Sequence, residues 1–195
     1  MSFPVISLIE SERIALRPVA ATDLPALLAI NGDAQVTQFL PYATWTTPDD
    51  GAAWLARMEA LGATGAGQQL VVVRRADAAV IGTLLLFKHD AGSQRVELGY
   101  VLGRVHWGQG LMREALQAVC SHLFGTAGLR RIEAEANPAN LASCALLARV
   151  GFTLEGTLRQ RWVGKGAAYD THVFGCLAHE WPQGASPAPH KGVTR

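Results

Sequence analysis

Residues 106–116, HWGQGLMREAL, set two glycines one residue apart between a strand-like run, QRVELGYVL, and a helical pattern. The pattern runs from about 109 to 124 and carries Met112, Leu116, Val119 and Leu123 on one stripe. GTAG closes it before a second strand-like run, LRRIEAEA. A strand that hands over to a helix through so short a turn, and a second strand after it, read as a crossover. That unit requires a sheet with a helix on its face.

The rest of the chain supplies the remaining elements. Alternation in RIALRP predicts a strand over 12–18, and ATDLPALLAI predicts a short helix capped by Thr22 or Asp23. VTQFLPYATWTTPDD reads as an aromatic-rich loop, from which Thr47, Pro48 and Asp49 start a second helix that Gly62, Gly65 and Gly67 end. QQLVVVRR, AVIGTLLLF and QRVELGYVL read as three antiparallel strands joined by the turns ADA and DAGS. Asn137, Pro138 and Asn140 form a turn and cap for a helix ending near Gly151. FTLEGTLRQRWV and YDTHVFGCLAHEW then form a hairpin about GKGA. One domain over 1–183 is expected, with a small, polar, proline-containing tail over 184–195 read as disordered.

Composition narrows the function classes. With 49% hydrophobic and 17% charged residues and a formal charge of +1, the chain is an ordinary globular one with no overall attraction for nucleic acid or an anionic membrane. No apolar run reaches membrane-spanning length. The N-terminus MSFPVISLIE lacks a basic region and resembles a first strand more than a signal peptide. Cys120, Cys144 and Cys176 are odd in number and widely spaced, which fits reduced thiols rather than a disulfide or zinc framework. Cytoplasmic residence follows by elimination. His106 and His172 stand without HxxH, HExxH or an acid cluster, so no metal is expected. The sequence leaves monomer and homodimer open.

The glycine turn has two readings. It joins a strand to a helix, or it lets an anion approach the unpaired N–H groups of a helix N-terminus, which carries about half a positive charge. Arg113 adds a cation beside it. GxxxxGK[ST] is absent, and Arg113 occupies the third glycine position of GxGxxG, so nucleoside triphosphate hydrolysis and dinucleotide binding fit poorly.

Taken in order, SERIALRP, IGTLLLF, ELGYVL with HWGQGLMREAL, NLASCALLARVGFTLEGTLR, and Asp170 with EW at 180–181 resemble the GNAT superfamily of N-acetyltransferases, of the RimJ/RimL type. The resemblance covers roughly residues 10–181 and implies an α+β fold. Its sheet is mixed, mostly antiparallel and twisted, with about six or seven strands and about four helices, splayed between the fourth and fifth strands. It implies acetyl-CoA as co-substrate. The family's [Q/R]xxGx[G/A] loop falls on Trp107, Gly108, Gln109, Gly110, Leu111 and Met112, with Trp107 and Met112 departing from it. By the same resemblance the strand ending near Leu102 pairs with the pantetheine arm, Asn140 touches that arm, and Ser143 lies near the coenzyme sulfur as proton donor. Glu97 takes the place of general base, and Phe39, Tyr42 and Trp45 border the acceptor.

Transfer of acetyl to an amine needs a neutral nitrogen. Near pH 7.4 that costs roughly 4 kcal/mol for a lysine and under about 1 kcal/mol for an α-amine, which favours a protein or peptide N-terminus. A small amine, such as an antibiotic, polyamine or amino acid, stays open because burial lowers an amine pKa. So does a non-catalytic acyl-CoA sensor, through Met112. Tyr100 shares a strand face with Leu98 and Leu102 and reads as core, while Arg130 and Arg131 read as a contact to the coenzyme 3′-phosphate or to an acidic partner, or equally as a solvated strand edge.

Overall fold

Runs of valine, isoleucine and leucine between polar turns form the middle of the sheet: β3 (Gln68–Arg74), β4 (Ala79–Asp90) and β5 (Arg95–Leu102). Each is antiparallel to the next. The computed structural model describes residue 3 and residues 5–182; the tail expected to be disordered lies outside them. On the outer side of β3 lies β2 (Ile14–Pro18), and on β2 a two-residue strand, β1 (Ile9–Glu10). The other half of the sheet holds β6 (Arg131–Ala136) and a hairpin of β7 (Thr153–Gly164) and β8 (Ala167–Leu177), giving the order β1-β2-β3-β4-β5-β6-β8-β7. Only β5 and β6 are parallel neighbours.

Among the described residues the sheet therefore has eight strands where the sequence predicts six or seven. The addition is β1, too short to leave a period-two pattern. Among the described residues five α-helices replace the expected four: α1 (Leu24–Asn31), α2 (Ala34–Thr37), α3 (Pro48–Ala63), α4 (Leu111–Gly125) and α5 (Leu141–Val150). The extra one, α2, is a single turn capped by Asp33, whose Oδ1 accepts from the Gln35 amide at 2.9 Å. It takes Val36 and Thr37 out of the stretch read as loop. Asp23 does not cap α1 with its side chain. Its carboxylate accepts from the Ala20 amide and from both terminal nitrogens of Arg17, closing a three-residue 3-10 turn instead.

Helices cover both faces. The expected stripe of α4, Met112, Leu116, Val119 and Leu123, is buried in the larger core with Leu84, Leu86, Val96 and Leu98, and α5 adds Leu147 and Val150. On the opposite face α1 and α3 pack Leu27, Ile30, Trp54 and Leu55 against Val71 and Val101. Alternation along β5 thus sends Val96, Leu98 and Tyr100 toward α4 and α5, and Glu97 and Val101 to the other side.

One interruption positions the site. β5 and β6 pair from Arg95 with Arg131 only as far as Leu98 with Ala134, although β5 continues to Leu102 and β6 to Ala136. The gap opens where the family resemblance places it, between β5 and β6 once β1 is counted.

Candidate functional site

The glycine turn stands at the open end of this gap. Gly108 (φ 73°) and Gly110 (φ 75°) are both left-handed, a conformation that β-carbons disfavour. Nothing lies within 4 Å of where a Cβ on Gly108 would stand, so the turn is an open cradle. The first α4 bond runs from the Glu114 amide to the Gly110 carbonyl at 3.1 Å, so the amides of Leu111, Met112 and Arg113 precede the intrahelical ladder. Leu111 and Met112 bury their side chains in the core. The bulk of Met112 therefore points away from the cradle, which removes the ground for expecting it to obstruct a ligand.

Neighbouring side chains brace the turn. The Trp107 indole donates to the Leu102 carbonyl at 2.8 Å, the Gln109 amide to the Val105 carbonyl at 2.9 Å, and Arg13 Nη1 to the Gln109 carbonyl at 3.0 Å. Glu114 is the one acid in the first turn of α4. Burial acts to raise its pKa, but bonds from Ser11 Oγ and from the Arg13 amide and guanidinium outweigh it and hold the carboxyl below its usual range. With that charge matched by Arg13, the helix terminus keeps a positive field, and exposed Arg113 adds to it. The arrangement fits a diphosphate.

One wall of the gap is α5. Asn140 caps it, with Oδ1 accepting from the Ser143 amide at 3.1 Å. Ser143 Oγ lies 2.7 Å from Tyr100 Oη. Tyr100 does pack against the larger core, as its strand face predicts, yet its hydroxyl spans from β5 to α5 and fixes the serine. Burial pushes the Tyr100 pKa up, so the phenol is neutral. The sequence marks the face of Tyr100 but not the helix residue it meets.

Glu97 lies across the sheet from Ser143. It is 6% exposed, opposite Phe87 on β4 and Glu133 on β6, and Lys88 Nζ sits 2.7 Å from its Oε2. Burial raises its pKa; Lys88 opposes that rise, while Glu135 and Glu133 add to it. Glu135 accepts from Trp162 Nε1 at 2.7 Å and stands 3.7 Å from both Lys88 and Arg161. A buried carboxylate with a raised pKa is suited to taking a proton near neutral pH.

Residues 13–153 match the family described as "Acetyltransferase (GNAT) domain". The chain belongs to this family. It is an acetyltransferase enzyme, similar along most of its length to the "Uncharacterized N-acetyltransferase p20" of Bacillus licheniformis, at 31% identity over 171 residues, 88% of this chain and 96% of the relative. It is also 35% identical to the "Ribosomal-protein-serine acetyltransferase" of Escherichia coli (strain K12) over 95 residues, 49% of this chain and 53% of that relative. Among solved structures, "Mycobacterium smegmatis RimJ in complex with CoA-disulfide" superposes with a TM-score of 0.79 at 26% identity, over 91% of this chain and 87% of that one.

For a GNAT acetyltransferase, the aromatic loop behaves differently from expectation. Trp45 is 5% exposed and packs with Trp54 in the core beneath α1 and α3, so it is not available to an acceptor. Tyr42 packs beside it and donates to Asn31 Oδ1 at 2.9 Å. Both rings cover apolar helix surface that the loop would otherwise leave wet. Phe39 lines a solvent-open cavity of about 150 Å³ between Gln38–Leu40 and the hairpin tip at Gly164, Lys165 and Tyr169. Lys165 Nζ closes one side of it by donating to the Thr37 carbonyl at 2.6 Å.

Arg131 lies far from the glycine turn and is held by acids. Parallel pairing with β5 sets it opposite Arg95, about 23 Å of strand from the residue before the turn, and Glu133 and Glu155 hold its guanidinium. His172 Nδ1 meets Thr157 Oγ1 at 2.8 Å across the hairpin. Among the described residues no three His, Cys, Asp or Glu side chains are grouped to hold a metal ion, and no helix is long and apolar enough to cross a membrane.

Proposed function

We propose that this enzyme acetylates the N-terminal α-amine of a protein or peptide from acetyl-CoA, with Glu97 as general base and Ser143 as proton donor. The observation that carries the reading is that both groups flank the point where β5 and β6 part, from opposite faces of the sheet: Glu97 one residue before the last β5–β6 pair, and Ser143 against Tyr100, two residues past it. Backbone amides of the turn and the first residues of α4, with Arg113, hold the diphosphate. The unpaired edge of β5 from Tyr100 to Leu102 and Asn140 on α5 flank the pantetheine arm. Phe39 and the hairpin tip border the acceptor.

The amine nitrogen bonds to the thioester carbonyl carbon, the carbon–sulfur bond breaks, and one nitrogen-bound proton passes to Glu97. Ser143, oriented by Tyr100 Oη and by the cap on Asn140, protonates the departing thiolate and takes a proton back from solvent, to which Glu97 releases the one it received. The α-amine, cheap to neutralise, matches a single buried carboxylate as base. The named function of the Escherichia coli relative supports a protein acceptor.

The test is thiol release from acetyl-CoA against peptides with Ser or Ala first, lysine-only peptides with blocked N-termini, and small amines. Free N-termini are expected to turn over, with mass analysis placing the acetyl on the α-nitrogen. Glu97→Gln is expected to lower kcat/KM by about 10²- to 10⁴-fold. Turnover confined to small amines overturns the acceptor, and an undiminished Glu97→Gln overturns the base.

A further inference from the structure

In a regular strand Lys88 would follow Leu84 and Leu86 into the larger core, because side chains alternate and Phe87 faces the other way, opposite Glu97. The backbone prevents this. Lys88 has φ 52°, inside a break in the β4–β5 register between Phe87 and Asp90, and its side chain emerges on the Glu97 face. Nζ lies 2.7 Å from Glu97 Oε2 and 3.7 Å from Glu135 Oε1, and 5.3 and 5.8 Å from the ring centroids of Phe87 and Trp162. Two carboxylates and two aromatic faces thus surround one ammonium.

We propose that Lys88 is a positioning residue of the reaction: its ammonium is a built-in counter-ion that keeps the buried Glu97 carboxylate ionised and ready to accept a proton. The inference rests on Glu97 acting as base. The charged groups facing Glu97 are Lys88 from β4 and Glu133 and Glu135 from β6. Arg95 meets Glu133 at 2.7 Å, and Arg161 stands 3.7 Å from Glu135. Arg131 also meets Glu133 at 2.7 Å, so both neighbouring acids have arginine partners. Among the described residues Lys88 is the one cation within ion-pair distance of Glu97.

Burial and the two neighbouring acids drive the Glu97 carboxyl toward its protonated form, in which it accepts no proton. An opposite charge at hydrogen-bond distance works against them. The bulge, at a backbone angle that a lysine rarely adopts, brings the charge to this face.

The experiment is the pH dependence of kcat/KM for the wild type, Lys88→Met, Lys88→Arg and Glu97→Gln on one acceptor peptide. Lys88→Met is expected to move the acid limb to higher pH by about 1–3 units, and Lys88→Arg to keep it near the wild-type position. Carbon-13 titration of the Glu97 carboxyl in the wild type and in Lys88→Gln reads the same shift without turnover, and serves if Lys88→Met does not fold. An acid limb and a carboxyl titration unmoved by loss of the lysine overturn the proposal. Should that happen while Glu97→Gln still abolishes turnover, Glu97 stands as base without a counter-ion. A fully active Glu97→Gln refutes the base itself.

Discussion

Ser143 shows how little of a side chain's chemistry is its own. Its hydroxyl is held by Tyr100, 43 residues earlier, and its amide by Asn140. Ser143→Ala is expected to lower kcat by about 10²-fold through loss of the proton donor. Tyr100→Phe leaves the serine in place without its partner and is expected to lower kcat by about 2- to 12-fold, the worth of one hydrogen bond, at unchanged KM for acetyl-CoA. Steady-state kinetics on one peptide separates the two. The elements that carry Glu97, Asn140 and Ser143 were legible, because strand and helix patterns mark β5 and the start of α5. The Tyr100 hydroxyl was not, since alternation states a face and never the atom across it. Trp45 misled for the same reason: an aromatic in a loop pattern reads alike whether it faces a ligand or the underside of the loop.

At the level of elements, the turn and α4 act as one unit. Gly110→Ala places a β-carbon at φ 75°, a strain of about 1–2 kcal/mol, with Arg13 the nearest neighbour at 3.6 Å. The strain is relieved by rotating the peptide that bears the cradle's amides. Calorimetric titration is expected to give an acetyl-CoA Kd raised tenfold or more, with the fold retained. The α4 stripe was readable because fifteen residues repeat the helical period several times. One-turn α2 and two-residue β1 carry no period to read. The Lys88 bulge was not legible either, because the apolar run stops at Phe87 and KHD reads as the way into the DAGS turn, whereas β4 continues to Asp90.

Across the whole molecule, distant segments are tied by a few charged contacts. Arg17 grips Asp23 with two bonds, joining β2 to the entry of α1. Burial acts to raise the Asp23 pKa, yet the bonds from Arg17 and the Ala20 amide prevail and the carboxyl sits below its usual value. A depressed native pKa stabilises the fold above the unfolded carboxylate range, and that contribution is lost as the pH falls through the native value. Arg17→Met is therefore expected to unfold at a higher pH than the wild type in an acid titration followed by circular dichroism. The hydrophobic period and the turn residues by themselves determined the crossover and the position of the glycine turn, because each is written in neighbouring residues, and the family resemblance of the ordered motifs implied the α+β class. Only the tertiary structure decided where β5 and β6 part, which face receives Lys88, and which aromatics are buried. Those outcomes depend on strand register and on helices packed from far along the chain, and contacts of that range have no local pattern.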